Sequence, residues 1–540
     1  MTAAAKKVSV ATQKKIASGK ATSLQTAVSD ASPESKFSSR KEKRVLEPTS
    51  VSGESEGVFA GRFLDLKPLE QISASWRSVH PVEMFAAEVQ SSTRTPPPNQ
   101  VPTTVTPRKR NIKVKAPSFN VSASKLTESD EIGLYLIRSS KVTAAQALSQ
   151  FDVTFQTESR ARQLLRLKSF RRDTSSASCS EVERWISERL PGRPSQKSSG
   201  TISSGIVVPM SHDEARILNA DVSNLFIMRN RALSLISPTL SSLPNPKLPP
   251  SAAWHLEAIG MLSARRDGKA YSGAGVTVAL MDTGVQLDHP EIAGKVLSSW
   301  KIRDNPATTD FQALELDKKS YDTDGHGTHV AGLICGTTVG VAPDARLISI
   351  LMMPRRLATL FDYVRCLDWA SEHPEVSLIN FSAGITPFAS EMMPFVSDVI
   401  KTGALPIFAI GNEGPNNTRS PGNFVDGASV GSVDAPGQQV SSFSGSGQML
   451  WNQTVYNVPD LVAPGGQIWS SYPGTKYVAM SGTSMASPVA CGVAACLIEQ
   501  ADGQLSPLEL MDQLRRGCSR LVSETDVRQG AGIVQVPQKP

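Results

Sequence analysis

Large apolar residues are spread unevenly along the chain, and their pattern divides it into three parts. Residues 1–125 mix Ser, Thr, Ala, Lys and Pro with few large apolar side chains, so we predict that this region is mostly disordered. Residues 126–238 contain short apolar runs between charged helical stretches. From residue 239 to residue 540, nearly all-apolar runs alternate with helical patterns, which indicates a large globular domain.

The C-terminal part, residues 239–540, is predicted to be a doubly wound α/β domain with a mostly parallel central sheet. Short apolar runs without alternation are typical of parallel strands that are covered on both faces. Such runs occur at 276–281, 346–350, 378–381, 406–410 and 429–433. Helices are expected between the strands, for example at 361–372 and 394–402. In folds of this class, functional side chains lie at the carboxyl ends of the strands.

The middle part, residues 126–238, is predicted to be a small α+β unit with one face of its sheet covered. Its predicted elements are strands at 132–137 and 202–209, an extended segment at 225–236, and helices at 144–151, 181–190 and 213–220. Residues 191–199 are predicted to form a loop. The proline-rich stretch at 237–250 ends the unit, and we predict that it is an exposed, cleavable linker.

A run of small and apolar residues at 480–499 predicts a tight turn that leads into a buried helix. The run begins Met-Ser-Gly-Thr-Ser-Met-Ala-Ser-Pro, and its Pro488 lies near the expected start of the helix. Ser484 would then lie at the positive end of the helix. Serines at helix starts are commonly capping residues, so Ser484 becomes a candidate nucleophile only if partners for it are found.

Two further residues supply those partners. Asp282 ends the first predicted strand of the domain, and His326 lies in the glycine-flanked sequence Asp-Gly-His-Gly-Thr-His-Val-Ala-Gly. His326 and His329 are three residues apart, so we considered a metal pair. The flanking Gly and Thr residues bring no third ligand, and the His-Glu-x-x-His spacing is absent, so no metal site is predicted here.

The order Asp282, His326, Ser484 and the motifs around these residues resemble the subtilisin-like serine protease family (subtilases, peptidase S8). The resemblance covers residues 254–536 and includes Asn-Phe-Ser-Ala-Gly at 380–384 and Ala-Ile-Gly-Asn-Glu-Gly at 409–414. It implies a subtilisin-like three-layer sandwich. It also implies a serine endopeptidase that needs no cofactor and acts on polypeptide substrates.

The resemblance assigns roles to individual residues. Ser484 would be the nucleophile of an acyl-enzyme mechanism, His326 its general base, and Asp282 the group that orients the imidazole. Asn412 matches the asparagine of the family's oxyanion hole. Substrate-binding residues are expected at Ser382, Ala383, Gly384 and Gly411. Two alternatives remain open: a subtilase that joins peptide ends, and an inactive protein-binding module.

Several positions depart from the family pattern. Ala383 replaces a leucine, and Met-Met-Pro-Arg-Arg-Leu at 352–357 replaces a glycine-rich segment on the opposite side of the substrate groove. Glu413 would bias the first specificity pocket toward basic residues. Calcium sites are common in the family, but residues 331–341 hold no cluster of carboxylates or asparagines, so no calcium site is predicted there. Asp288 is left open as a ligand elsewhere.

The middle part resembles, more weakly, the inhibitory propeptide of the family (inhibitor I9). The match is clearest at 207–218, and it implies that the chain is made as a zymogen with its own propeptide as a partner. Cleavage is expected between 237 and 254. Residues 126–238 hold 15 Lys and Arg against 12 Asp and Glu, whereas residues 239–540 hold 21 against 28, so the charges of the two parts are complementary.

Composition excludes several other classes. The six cysteines show no Cys-x-x-Cys spacing, so neither a zinc site nor a disulfide scaffold is predicted. Residues 1–125 are basic, with 20 Lys and Arg against 10 Asp and Glu, but no nucleic-acid partner is predicted. The sequence predicts no classical signal peptide and no transmembrane segment, so an intracellular location is favoured over classical secretion.

Overall fold

The computed structural model of the chain describes residues 131–139, 179–302 and 314–540. The predicted disorder of 1–125 and the predicted helix at 144–151 lie outside the described residues. Within the described ranges, no helix is both long enough and apolar enough to cross a bilayer.

The N-terminal portion contains a four-stranded antiparallel sheet. Its elements are β1 (Gly133–Ser139), α1 (179–189), β2 (Gln196–Ser198), β3 (Gly205–Met210), α2 (His212–Asp221) and β4 (Leu225–Arg229). The strand order is β2-β3-β1-β4. Ser211 caps α2 in a capping box with Glu214, as the Ser-x-x-Glu sequence predicts. Strand β2 lies within residues 191–199, which were predicted to form a loop. This stretch has no long apolar run that would predict a strand.

The C-terminal portion is built around a nine-stranded sheet. Its strands are β7 (Thr277–Asp282), β8 (Val296–Lys301), β9 (Glu315–Leu316), β10 (Arg346–Leu351), β12 (Val376–Phe381), β14 (Leu405–Ala409), β15 (Ala428–Asp434), β16 (Gln439–Val440) and β19 (Leu461–Pro464). The order is β16-β15-β14-β12-β7-β10-β8-β9, with β19 beside β15. Every pairing is parallel except those of β9 and β16 at the margins. The predicted mostly parallel sheet is confirmed.

Smaller sheets and hairpins surround this sheet. They contain β5 (Ala232–Leu235), β6 (Thr239–Leu240), β11 (Leu357–Thr359), β13 (Ala383–Gly384), β17 (Gly447–Trp451), β18 (Thr454–Val458), β20 (Ile468–Tyr472) and β21 (Lys476–Ser481). Strand β5 lies between β11 and β13, and β6 pairs with β21. The stretch at 237–250 is the one predicted to be an exposed, cleavable linker. Its side chains are largely exposed, but its backbone pairs with a neighbouring strand.

Helices cover both faces of the central sheet. They are α3 (Trp254–Ala258), α4 (Met261–Arg266), α5 (His326–Cys335), α6 (Leu360–Ser371), α7 (Met393–Lys401), α8 (Thr483–Gln500), α9 (Pro507–Arg516) and α10 (Asp526–Gln529), with 3₁₀ turns at Pro250–Ala253, Pro354–Arg356 and Ser390–Met392. Along β7, Val278 and Leu280 pack into the core that contains α5 and α8. Ala279 and Met281 pack into the opposite core with α6 and α7. This alternation explains why the strand is an unbroken apolar run.

Helix α5 approaches strand β20 closely because Gly332 has no side chain. The hydroxyls of Ser470 and Ser471 donate to the carbonyls of His329 and Thr328, both at 2.8 Å. A Cβ atom at residue 332 would overlap both hydroxyl oxygens. The glycine therefore permits two buried hydrogen bonds that hold the helix against the strand.

We predict that Gly332→Ala lowers the free energy of unfolding by about 1–3 kcal/mol, because overpacking outweighs the gain of about 1 kcal/mol in helix propensity. Denaturant unfolding followed by circular dichroism measures the change. In a Ser470→Ala/Ser471→Ala background the same substitution should cost less. An equal cost in both backgrounds would contradict the proposed overlap.

Candidate active site

Asp282 and His326 are joined by a buried hydrogen bond at the carboxyl edge of the central sheet. Asp282 is the last residue of β7, and His326 is the first residue of α5. The imidazole Nδ1 donates to Asp282 Oδ1 at 2.8 Å, and its distance to Oδ2 is 3.0 Å. Each side chain is 1% exposed. The Thr283 amide also donates to Asp282 Oδ1, at 2.7 Å, which fixes the orientation of the carboxylate.

A second carboxylate, Asp322, ties the end of β7 to the start of α5. It accepts hydrogen bonds from the amides of Asp324, Gly325 and Thr328, and from the Thr283 hydroxyl at 2.8 Å. Thr283 Oγ1 in turn accepts from the amide of Gly327. Because these groups belong to both elements, they hold Asp282 and His326 in register. Burial raises the pKa of Asp322 above its ordinary value, while these hydrogen bonds oppose the rise.

Ser484 is the second residue of α8, immediately after the tight turn at Gly482. Pro488 has no amide hydrogen, so it cannot donate to the Ser484 carbonyl as the i+4 residue of a helix normally would. The Ser382 hydroxyl lies 3.5 Å from that carbonyl and partly compensates. Ser484 is fully buried, among helix residues that are mostly small.

The chain itself occupies the space in front of Ser484. The Ser484 hydroxyl donates to the carbonyl oxygen of Ile236 at 2.8 Å, rather than to His326. Among the described residues, His326 Nε2 has no hydrogen-bond partner. The Ile236 amide donates to the Ser382 carbonyl at 3.1 Å. Ile236 is therefore held at both its amide and its carbonyl beside the predicted nucleophile.

Asn412 is oriented toward the same stretch of chain. Its Oδ1 accepts from the amide and the hydroxyl of Thr483 at 2.8 and 2.9 Å. Its Nδ2 donates to the carbonyl of Ser237 at 3.1 Å, one residue beyond Ile236. Thr483 thus fixes which end of the amide faces the chain. Sequence reasoning missed this role of Thr483, although the residue lies inside the Gly-Thr-Ser motif.

The predicted substrate-binding residues lie at the edges of this cleft. Strand β13 pairs with β5, with Ala383 opposite Leu235 and Gly384 opposite Ser234. Gly411 precedes Asn412, and its amide donates to Thr483 Oγ1 at 3.3 Å. On the other side, β11 pairs with β5 in an antiparallel arrangement, although this segment lacks the family's glycine-rich sequence. Strand pairing and hydrogen bonds therefore connect these predicted substrate-binding residues with the segment that lies at Ser484.

The two arginines in the unusual segment at 352–357 are held differently. Arg356 donates from Nε to Asp324 Oδ2 at 2.6 Å, and this hydrogen bond raises the pKa of its guanidinium. The Arg355 amide donates to Thr323 Oγ1 at 3.3 Å. Both residues have positive φ angles, 55° and 70°, a conformation that glycine adopts with less strain. The charge of Arg356 is therefore already paired with a residue next to the α5 start.

The environments of the two histidines on α5 differ. Burial lowers the pKa of the His326 imidazole, whereas the Asp282 carboxylate raises it, and the net result is a pKa above the ordinary 6.5. Burial lowers the pKa of His329 to about 3. His329 Nε2 donates to the carbonyls of Ile468 and Val478, both at 3.1 Å. His326 Nδ1 and His329 Nε2 thus bond to different parts of the protein.

The residues after α5 do not suit calcium. The helix ends at Cys335, and the turn beyond it is held by Glu291, whose Oε2 accepts from the Thr338 amide at 2.6 Å. Glu291 Oε1 accepts from the Tyr477 hydroxyl at 3.1 Å. The carboxylate is thus engaged by protein donors. Among the described residues, no group of three or more His, Cys, Asp or Glu side chains is arranged to hold a metal ion.

Comparisons with known proteins identify a family model and several proteins that this chain is similar to. The model of the Subtilase family matches residues 273–532. The chain is 33% identical over 256 residues to "Intracellular serine protease" of Paenibacillus polymyxa, across 45% of this chain and 73% of that protein. It is 32% identical over 235 residues to "Thermitase" of Thermoactinomyces vulgaris, across 42% of this chain and 76% of that protein. It is also 31% identical over 247 residues to "Thermophilic serine proteinase" of Bacillus sp. (strain AK1), across 44% of this chain and 56% of that protein.

The Asp282–His326 geometry generates a prediction about the imidazole. Asp282→Asn should lower the pKa of His326 below 6.5, because burial then acts without the opposing carboxylate. An NMR titration of the histidine ring signals in a Ser484→Ala background measures the shift. Asp288→Asn is the matched control, since Asp288 is exposed and bonded to Gln286. If the pKa of His326 stayed unchanged in Asp282→Asn, the Asp282 carboxylate would not be the group that raises this pKa.

Proposed function

Because the chain belongs to the subtilase family of serine-type endopeptidases, we propose that it hydrolyses peptide bonds with Asp282, His326 and Ser484 and is made as a zymogen. The observation that most strongly supports this proposal is the position of Ile236. Its carbonyl lies at the Ser484 hydroxyl, at the end of a strand that is paired within the cleft.

The proposed reaction begins at Ser484. Its hydroxyl turns from the Ile236 carbonyl oxygen to His326 Nε2, which takes the proton as the oxygen attacks the carbonyl carbon. Asp282 stabilises the imidazolium that forms and keeps Nδ1 protonated. His326 then donates the proton to the leaving amine. Water hydrolyses the acyl-enzyme by the same steps in reverse.

Asn412 is proposed to stabilise the negative oxygen that develops during attack. Its Nδ2 already donates to a chain carbonyl, that of Ser237, and Thr483 holds its other end. The amide of Ser484 lies at the start of α8, where the helix dipole also favours negative charge. In the reactive arrangement, the carbonyl being attacked takes the place of the Ser237 carbonyl at Asn412.

The strand in the cleft supports self-processing. The backbone of Ser234, Leu235 and Ile236 pairs with β13 and Ser382, as an extended substrate would. Beyond Ile236, Thr239 and Leu240 pair with β21 on the other side of Ser484. The bond nearest the nucleophile is Ile236–Ser237. This bond lies just before the range 237–254 expected from the prolines of the sequence.

The N-terminal sheet is proposed to act as the inhibitory propeptide. Arg138 forms a buried ion pair with Asp398 on α7, with 2.8 Å between Nη2 and Oδ2. Asp368 on α6 accepts from the Ile202 amide at 2.8 Å and from the Ser203 hydroxyl at 2.5 Å. These contacts match the complementary charges of the two parts. Leu136, Val207 and Met228 of the same sheet are buried in the core with α6 and α7, and this apolar burial favours continued binding after the chain is cut.

The two alternatives receive no specific support. Nothing in the cleft geometry favours peptide joining over hydrolysis, and the relatives named above are proteases. The buried Asp282–His326 pair, at the same edge of the central sheet as Ser484, also argues against an inactive binding module. Hydrolysis is therefore the function that we test.

The first test removes the nucleophile. Ser484→Ala should abolish hydrolysis and self-processing, because the attacking oxygen is lost while alanine suits a helix packed among small residues. N-terminal sequencing and a peptide-cleavage assay of wild type and variant, purified in parallel, measure both effects. Wild type should begin at Ser237, and Ser484→Ala should remain uncut.

Ser487→Ala is the matched control, because it removes a buried hydroxyl from the same helix, one that donates to Asn380 rather than to the cleft. It should keep hydrolysis. Near-wild-type activity in Ser484→Ala would refute the nucleophile. An uncut wild-type chain with full activity would refute the zymogen proposal and leave the nucleophile intact.

The second test concerns Asn412. Asn412→Ala should lower kcat about 10²–10³-fold with little change in KM, because its amide is needed chiefly when negative charge develops. Steady-state kinetics with one peptide substrate measure both constants. Asn417→Ala is a suitable control, since Asn417 is nearby but bonds to the carbonyls of Glu413 and Pro415. A change confined to KM would count against the role.

A further inference from the structure

Arg419 contacts the side chain of a residue in the cleft strand. Its Nη1 donates to Ser234 Oγ at 3.0 Å and lies 3.3 Å from the carbonyl oxygen of Gly384. Ser234 is two residues before Ile236, so it is the third residue before the Ile236–Ser237 bond. Backbone pairing accepts any side chain at this position, but a hydrogen bond to Oγ depends on the side chain.

The guanidinium of Arg419 is held in place by Glu413. Arg419 Nε donates to Glu413 Oε1 at 2.7 Å, and Nη2 lies 2.5 Å from the same oxygen. Glu413 Oε2 accepts from the Asn412 amide at 2.9 Å. Because the pair is anchored at both ends, the guanidinium loses little rotamer freedom when a substrate binds.

The surrounding backbone leaves room for this pair and little else. A Cβ atom on Gly384 would lie 2.8 Å from Arg419 Cβ, and one on Gly411 would lie 2.7 Å from Glu413 Oε2. The Arg419–Glu413 pair therefore lies against both predicted substrate-binding glycines. The Glu413 charge, which we expected to attract basic substrate residues, is already paired with a cation of the protein.

We propose that Arg419 determines specificity by selecting substrates with a hydrogen-bond-accepting side chain, Ser, Thr, Asp or Glu, at the third residue before the cleaved bond. The inference rests on the proposed function, in which β5 lies as a substrate does. An alanine at this position loses the acceptor, and a lysine places a second cation beside the guanidinium. An acidic residue forms the stronger, charge-assisted hydrogen bond.

The test uses peptides that share the sequence Leu-Xaa-Leu-Ile-Ser and differ only at Xaa: Ser, Ala, Asp or Lys. Wild-type enzyme that has been separated from its N-terminal fragment after self-processing should cleave the Ser and Asp peptides with kcat/KM about 5–20-fold above that of the Ala peptide. The Lys peptide should be the poorest substrate. Cleavage of all four peptides at equal rates would overturn the inference, and the proposed function would stand.

Variants assign the preference to Arg419. Arg419→Met should bring the Ser-to-Ala ratio to about 1 and the Asp-to-Ala ratio below 1, because Glu413 then lacks its cation, whereas Arg419→Lys should keep a preference for Asp but lose much of that for Ser. Arg266→Met is the matched control, because Arg266 is an exposed arginine of α4 with an acidic neighbour, Asp267. It should leave every ratio unchanged. Unchanged ratios in Arg419→Met would assign the preference to another residue and overturn the inference.

A second measurement remains informative if Arg419→Met does not fold. Ser234→Ala and Ser234→Lys in the full chain change the internal substrate and leave the cleft intact. Self-processing should slow in Ser234→Ala and slow further in Ser234→Lys, as followed by N-terminal sequencing over time. Equal processing rates would overturn the inference. Failure of the wild-type enzyme to cut either itself or the peptides would instead refute the proposed function.

Discussion

A buried carboxylate can orient a buried imidazole only if the backbone holds both groups, and the architecture around residues 282 and 326 meets this requirement. The two side chains are excluded from water and paired with each other. An unpaired charge at either position would be costly to bury. The end of β7, the start of α5 and the Asp322 carboxylate between them therefore form one hydrogen-bonded unit. The rest of the sheet supports that unit.

Small residues make this unit possible. Helix α8, which is rich in alanine, glycine, serine and cysteine, brings Ser484 to the same edge, and α5 packs in the same core. Such side chains allow backbones to approach closely, but they bury little apolar area per residue. The larger aliphatic and aromatic side chains of the opposite core, around α6 and α7, complete the hydrophobic interior. The site is thus supported by two cores of different composition.

The two helices that complete the second core, α6 and α7, also contact the N-terminal sheet. Asp368 satisfies donors at a turn of that sheet, and Asp398 pairs with Arg138, which lies over the Phe395 ring with 4.8 Å from its Cζ to the ring centroid. Backbone pairing of β5 continues this contact into the cleft. Charge therefore orients the N-terminal sheet, and main-chain hydrogen bonds align the segment that reaches Ser484.

Local sequence was sufficient to predict those elements whose structure depends mainly on residues close by in the chain. The central strands were predictable because strands covered on both faces are continuous apolar runs, and Asp282, His326 and Ser484 lie in short motifs with glycines beside them. The sequence did not predict strand β2, the pairing of β6, or the roles of Asp322 and Thr483. Each depends on a partner distant in sequence or on a hydrogen bond that a local pattern does not record. Arg419 shows the limit most clearly. It is an ordinary arginine in a polar loop, and only the tertiary structure brings it to Ser234, 185 residues earlier in the chain.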